Sequence, residues 1–251
     1  MTSEKEDQLL KERIKIPGRK TYDEVFDKST LKVLYGLMTD GVIEYVDYPI
    51  STGKESKVFK AYTPDGEKVV LKIMRINTAT FKEYRKYIEG DYRFKNFGKG
   101  RKLVFTWTKK EFSNLKKSYE GGINVPKPIA FSKNVLVMEF LNYDDEPAPM
   151  LKNVELDKED AKILFDSIID IYKKMVSEVK LVHGDLSEYN ILISEGYPYF
   201  IDISQGVPIS HPKAIEFLRR DLKNIVRYFK NYGLDIEEDE IMDRFIGSEG
   251  E

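Results

Sequence analysis

The hydrophobic period of this chain is short in its first half and long in its second, and that asymmetry limits the folds open to it. From Tyr45 to Met74 and from Pro128 to Phe140, apolar residues alternate or run in short blocks, with turn chemistry at Pro64-Asp65-Gly66 and Ser132-Lys133-Asn134. Beyond Pro147 and Pro149 the spacing becomes helical. Ala161, Leu164, Ile168, Ile171, Met175 and Val179 follow an Asp157 cap, and Ile215, Leu218, Leu222, Ile225 and Phe229 run from Pro212 to a Gly233 stop. Two helical patterns accompany the strands, one from Tyr22 to Met38 and one opened by the capping-box form Thr108-Lys109-Lys110-Glu111, with Phe112, Leu115 and Tyr119 on one face. Strand texture first and helix texture later predicts an α+β chain of two lobes.

Composition narrows the chemistry. The 251 residues include no cysteine and two histidines, which excludes a disulfide scaffold, a zinc finger and a cysteine nucleophile. A bound metal should therefore be a hard ion with oxygen ligands, such as magnesium, with manganese able to take the same place. No apolar run approaches the roughly 20 residues of a membrane span, and no basic-then-apolar leader follows Met1. The expectation is a soluble, cytoplasmic protein with no membrane partner. The net charge of −2 hides segmentation: residues 82–117 carry twelve basic and four acidic side chains, and Asp235 to Glu251 carries eight acids and one arginine. The basic stretch, laced with aromatics and containing Gly98-Lys99-Gly100-Arg101-Lys102, is either a solvated face or an RNA-facing loop.

The stretch that carries chemistry is His183-Gly184-Asp185-Leu186-Ser187-Glu188-Tyr189-Asn190, followed by an apolar segment and then Tyr199-Phe200-Ile201-Asp202. Phosphoryl transfer needs a carboxylate to take or orient the nucleophile's proton and oxygen ligands to hold magnesium on the phosphates. Asp185 suits the first role, and Asn190 with Asp202 the second. The Asp185-to-Asn190 offset matches the protein-kinase loop H-R-D-x-x-x-x-N, and Asp202 falls where the Asp of D-F-G would stand. His183 reads as packed and hydrogen-bonded rather than catalytic.

Such a site calls for parts upstream. Lys72 interrupts an apolar strand on the face opposite Leu71 and Ile73, and Glu111 on the next amphipathic helix can pair with it. The loop before them, Ser51-Thr52-Gly53-Lys54-Glu55-Ser56-Lys57-Val58, is neither a Walker A motif nor G-x-G-x-x-G. Its backbone amides and the Ser51, Thr52 and Ser56 hydroxyls can still cradle phosphate, which makes Gly53, Lys54 and Val58 candidate nucleotide neighbours. Residues 137–141 read as a hinge, with backbone groups of Glu139 and Leu141 for an adenine edge and Met138 lining the pocket.

Together these residues resemble the RIO atypical serine/threonine protein kinases, first branch, of the prokaryotic, archaeal type. The resemblance rests on Ser51-Thr52-Gly53-Lys54-Glu55, on His183 to Asn190, and on Ile201-Asp202-Ile203-Ser204-Gln205 in place of D-F-G. It implies a two-lobe protein-kinase-like fold with a β-rich N-lobe and a truncated α-rich C-lobe. It also implies an enzyme dependent on ATP and magnesium that autophosphorylates, with Asp185, Asp202, Lys72 and Glu111 catalytic and Asn190 and Asp202 holding the metal. The family further implies an aspartyl-phosphate at Asp202, ATPase turnover, and a small ribosomal subunit precursor, protein and rRNA, as partner. Gly184 replaces the arginine of ordinary kinases, and only 49 residues follow Asp202, too few for their peptide platform.

The expected layout is a flexible N-terminus (1–20), N-terminal helices (21–48), an N-lobe (49–141) with a flexible basic insertion at about 77–106, a truncated C-lobe (142–234) and an acidic tail (235–251). Residues 1–48 are too short and too poor in strand signal for a winged-helix domain. Two alternatives compete: a non-catalytic, nucleotide-gated RNA-binding assembly factor acting through residues 82–117, and a small-molecule phosphotransferase of the aminoglycoside or choline kinase type. Nothing in the sequence indicates an oligomeric state.

Overall fold

A computed structural model of the chain describes residues 4–15, 25–76, 85–94 and 97–246. The chain divides into two compact units, the first formed by 1–82, 97–112 and 128–140 and the second by 83–96, 113–127 and 141–251.

The first unit contains helices α1 (Glu4–Arg13) and α2 (Lys28–Thr39), strands β1 (Tyr45–Thr52), β2 (Ser56–Tyr62) and β3 (Lys68–Met74), the front of helix α3 (Arg101–Glu120), and strands β4 (Pro128–Ser132) and β5 (Val135–Glu139). The strands form one antiparallel sheet in the order β1-β2-β3-β5-β4. Alternation decides its faces. Phe59, Ala61, Val69, Leu71, Ile73, Val135 and Val137 enter one core with Leu31, Leu34, Leu37 and Met38 of α2. The register pairs Val58 with Lys72 and Val70 with Met138, which puts these four on the opposite face. Helix α2 is capped by Asp27, which accepts from the Ser29 and Thr30 amides. Tyr22 lies outside the described residues.

Helix α3 departs from expectation twice. It opens at Arg101, where the Gly100 carbonyl accepts from the Leu103 and Val104 amides, instead of at Thr108. The Thr108 hydroxyl bonds back to the Val104 carbonyl, an interior option that a capping-box pattern cannot exclude. Its buried face carries Val104, Trp107, Thr108, Lys110, Glu111, Asn114 and Leu115, whereas Phe112 is half-buried and Tyr119 is 43% exposed. The apolar stripe misled because half of this face is polar. As a result the end of the expected insertion, Arg101 to Thr106, is helix; its residues 77–84 and 95–96 lie outside the described residues.

The second unit opens with a one-turn helix, Arg85–Ile88, and a 3-10 turn, Tyr92–Phe94. After the back of α3 come the hairpin β6 (Asn142–Tyr143) and β7 (Glu146–Pro147), helix α4 (Lys158–Ser177), strands β8 (Leu181–Val182), β9 (Ile191–Ser194), β10 (Tyr197–Phe200) and β11 (Val207–Pro208), and helices α5 (Ala214–Lys230) and α6 (Glu238–Ile246). Strand β8 pairs with β11 and β9 with β10. Asp157 caps α4, accepting from the Asp160 amide at 2.8 Å. On α5 the buried stripe is Phe217, Leu218, Asp221, Leu222, Ile225, Val226 and Phe229, which leaves Ile215 56% exposed. Within the acidic stretch after Asp235, Glu238–Ile246 forms α6, with Ile241, Met242 and Phe245 buried. No described helix is long and apolar enough to cross a membrane.

Candidate active site

In the first unit, strand alternation turns Lys72 away from the core formed by Leu71 and Ile73, and α3 brings Glu111 to it. Lys72 Nζ lies 2.7 Å from Glu111 Oε1, with side-chain exposures of 7% and 1%. Removing two such groups from water is costly and is offset by their close pairing, so each side chain fixes the other. Along the same sheet face, Lys60 lies over the rings of Tyr48, Tyr62 and Phe140 at 5.3, 5.5 and 5.2 Å. The sequence reading did not single out that lysine, since nothing local announces its cage.

The expected phosphate loop is a tight hairpin. Ser51 pairs with Val58 and Thr52 with Lys57, and the Gly53 N–H donates to the Ser56 carbonyl at 2.9 Å. The Gly53 amide is thereby committed to the turn. What the hairpin presents to solvent is the exposed Ser51, Thr52 and Lys54; Ser56 and Val58 are half-buried. In the hinge segment, Met138 pairs with Val70 and Glu139 with Val69. Leu141 begins the second unit, and its carbonyl accepts from the Ala148 N–H at 3.0 Å.

The second unit brings Asp185, Asn190 and Asp202 together through the β9–β10 hairpin, in which Ile191 faces Phe200 and the Ile201 N–H donates to the Asn190 carbonyl at 3.0 Å. Asn190 Nδ2 donates to the Asp185 carbonyl at 2.8 Å, and Gln205 Nε2 donates to Asp185 Oδ2 at 2.9 Å. Asp202 has φ 57° and ψ 51°, and Ser204 Oγ donates to its Oδ1 at 2.9 Å. That left-handed backbone costs about 1–2 kcal/mol in a residue with a Cβ, though aspartate tolerates it better than most. His183 is fully buried; its Nε2 lies 3.0 Å from the Ile201 carbonyl and its Nδ1 accepts from the Asp185 N–H at 3.3 Å.

The glycine that departs from ordinary kinases has a local cause. Gly184 has φ +79°, and a Cβ there would stand 2.8 Å from the Gln205 carbonyl oxygen, so no arginine fits. The loop is also clamped from α5. Asp221, fully buried, accepts from the Gly184 N–H at 2.7 Å, the Leu186 N–H at 3.0 Å and the Tyr172 hydroxyl at 2.6 Å. Burial pushes its carboxyl up to about 7, against the pull of those donors and of the Arg220 guanidinium. Arg220 donates to the Gly184 carbonyl and, at 3.2 Å, to the Tyr87 hydroxyl. Sequence reasoning passed over Asp221; the available signal was an acid inside the inward stripe of a strong amphipathic helix.

The donor set suits a hard cation. With its Nδ2 engaged on the Asp185 backbone, Asn190 keeps Oδ1 as its acceptor end, and Asp202 adds a carboxylate.

Residues 57–241 match the RIO domain family. Over 233 residues the chain is 42% identical to the RIO-type serine/threonine-protein kinase Rio1 of Haloferax volcanii, covering 92% of this chain and 79% of that protein. It is 41% identical over 244 residues to the Methanocaldococcus jannaschii protein of the same name, covering 96% and 82%. Human serine/threonine-protein kinase RIO1 is 40% identical over 221 residues, but the match spans only 39% of the human protein. Among solved structures, the Rio2 kinase-ADP/Mg2+-phosphoaspartate complex from Chaetomium thermophilum aligns with a TM-score of 0.67 and 26% identity, covering 92% of this chain and 69% of that one. The five-stranded antiparallel sheet of one unit and the helix-rich second unit agree with that likeness and with the α+β, kinase-like fold expected from the sequence. A domain match over most of the chain and relatives above 40% identity along nearly its whole length establish that it belongs to the RIO family of serine/threonine kinases.

Proposed function

We propose that this ATP-dependent serine/threonine kinase of the RIO family transfers phosphate through Asp185 and Asp202, phosphorylates itself, and turns over ATP to drive a step of small ribosomal subunit maturation in the cytoplasm. One observation carries the reading of the site: Ser204 and Gln205, adjacent residues of one turn, hold the carboxylates of Asp202 and Asp185. Two carboxylates set by a common support suit a reaction that depends on positioning more than on covalent chemistry. The likeness to a Rio2 kinase captured with ADP, magnesium and phosphoaspartate supports the same reading.

In this proposal Lys72, fixed by Glu111, anchors the α- and β-phosphates, and Ser51, Thr52, Gly53, Lys54, Ser56 and Val58 line the nucleotide. The Glu139 carbonyl and Leu141 N–H meet the adenine edge beside Met138. Asn190 and Asp202 would hold magnesium, which neutralises phosphate charge when bound; manganese would accept the same oxygens. Asp185 takes the proton of an attacking hydroxyl. When Asp202 is itself the acceptor, its carboxylate oxygen bonds to the γ-phosphorus, the bridging P–O bond breaks and ADP leaves. Water then releases phosphate from the acyl phosphate, so the sum is ATP hydrolysis.

Within the basic stretch, Lys110 is buried and Arg93 pairs with Asp91 at 2.7 Å, whereas Lys99, Arg101 and Lys102, close in sequence, are exposed and are the cations we would test for an RNA contact. The test is incubation with γ-labelled ATP and magnesium, alone and with small-subunit precursors, beside Asp185→Ala and Asp202→Ala. Slow labelling or phosphate release that is lost in both variants is expected. Unchanged activity in both would overturn the site assignment, and an inactive wild type would favour the nucleotide-gated scaffold.

A further inference from the structure

The turn after Asp202 is gripped from α3, and we propose that Asn114 is the positioning residue that sets both carboxylates for phosphoryl transfer. The inference rests on the roles proposed above for Asp185 and Asp202. Asn114 is fully buried and lies three residues after Glu111 on α3. Its Nδ2 donates to the Ile203 carbonyl at 2.7 Å and to the Gly206 carbonyl at 2.9 Å. Those carbonyls mark the start and the C-cap of the 3-10 turn Ile203–Gln205, so a single amide holds the turn at both ends.

The turn needs an outside hold. Asp202, its N-cap, is left-handed and gives the turn no side-chain cap bond. Its other two residues are the ones that reach the carboxylates, Ser204 to Asp202 and Gln205 to Asp185. Position 206 is a glycine at the point of closest approach: a Cβ there would lie 2.9 Å from Asn114 Nδ2 and 3.0 Å from the Ile203 carbonyl. An apolar side chain at 114 would fill the same space and leave two buried carbonyls without this donor.

The orientation of the amide is itself fixed. Arg93 Nη1 donates to Asn114 Oδ1 at 2.9 Å, so a flipped amide would turn N–H toward the guanidinium and oxygen toward both carbonyls. Arg93 is in turn held by Asp91 through Nε at 2.9 Å and Nη2 at 2.7 Å, and the Asp91 side chain is fully buried. The chain Asp91–Arg93–Asn114 therefore ties the segment just before α3 to the turn whose Ser204 and Gln205 hold the two carboxylates.

Four proteins test this: wild type, Asp202→Ala, Asn114→Asp and Arg93→Ala. Asn114→Asp keeps the size and the Arg93 partner but has no N–H for the carbonyls. Its kcat should fall on the order of tenfold or more while the KM for ATP stays within about twofold. Amides 203–206 should exchange hydrogen faster in its nucleotide-free form, a readout that needs no turnover. Arg93→Ala, altering a side chain that is 19% exposed, covers the case in which Asn114→Asp does not fold. It should show a severalfold loss of kcat with the same faster exchange. Wild-type kcat and exchange in the folded variants, with Asp202→Ala inactive, would overturn the role of Asn114 and leave the proposed function standing. Equal activity in wild type and Asp202→Ala would instead overturn the proposed function.

Discussion

The two most deeply buried acids of the candidate machinery are held in opposite ways. Glu111, in the first unit, is held by a charge, the Lys72 ammonium at 2.7 Å. Asp221, in the second, is held by neutral donors: two backbone amides and a tyrosine hydroxyl. The first arrangement fixes a cation, the one proposed above to meet the nucleotide's phosphates. The second fixes the shape of a loop, and its carboxyl, pushed up to about 7 by burial, changes charge within the physiological range. One unit thus supplies a fixed charge and the other a fixed backbone.

The largest effect should come from breaking the ion pair. Lys72→Met removes the ion-pair partner of a buried carboxylate, and denaturant unfolding should show a loss of about 3–5 kcal/mol. Adding Glu111→Leu should restore most of the stability without restoring ATP turnover, because the cation proposed for phosphate is still missing. If the double variant recovers neither, the pair is not what holds this part of the unit.

Asp221→Asn tests the other arrangement. Asparagine cannot accept from two amides and a hydroxyl equally, so a loss of about 1–3 kcal/mol is expected from the mismatch. Linkage adds a pH dependence. Because the native value of about 7 lies above the ordinary 3.8, the folded protein binds the Asp221 proton more tightly than the unfolded chain. Its stabilising contribution is complete below about pH 4 and is lost as pH rises through about 7. The stability of wild type relative to Asp221→Asn should therefore decline across that window and then level off. A difference that is flat with pH would show that Asp221 does not titrate there.

The smallest effect serves as a control distant from both acids in sequence. Asp27 is partly buried, which opposes its charge, yet bonds from Ser29 and Thr30 hold its carboxyl below the usual value. Asp27→Ala should cost about 1 kcal/mol through the lost cap of α2 and leave the KM for ATP unchanged. A rise in KM would mean that the N-terminal helices reach the nucleotide site.

What the sequence made legible follows from periodicity and local spacing. The β2–β3 hairpin, the Asp157 cap and the Lys72–Glu111 contact were all within reach of that reasoning. Asp185, Asn190 and Asp202 lie on one short segment, so their convergence needed only a hairpin between them. Where apolar spacing was the guide but burial is polar, the reading failed. Helix α3 buries Lys110, Glu111, Asn114 and Ser118, and its true start and face were therefore missed. Asp221 and Asn114 act across long sequence separations on backbone groups of the loop around Gly184 and Leu186 and of the turn after Asp202, and a backbone partner leaves no motif.

The most direct test of the proposed chemistry is a single-turnover reaction with γ-labelled ATP and magnesium, quenched and then split into samples with and without hydroxylamine. Acyl phosphates are cleaved by hydroxylamine and serine phosphates are not. Label on the wild-type protein that hydroxylamine removes, and that is absent from Asp202→Ala, is the predicted result. Hydroxylamine-sensitive label that persists in Asp202→Ala would contradict it.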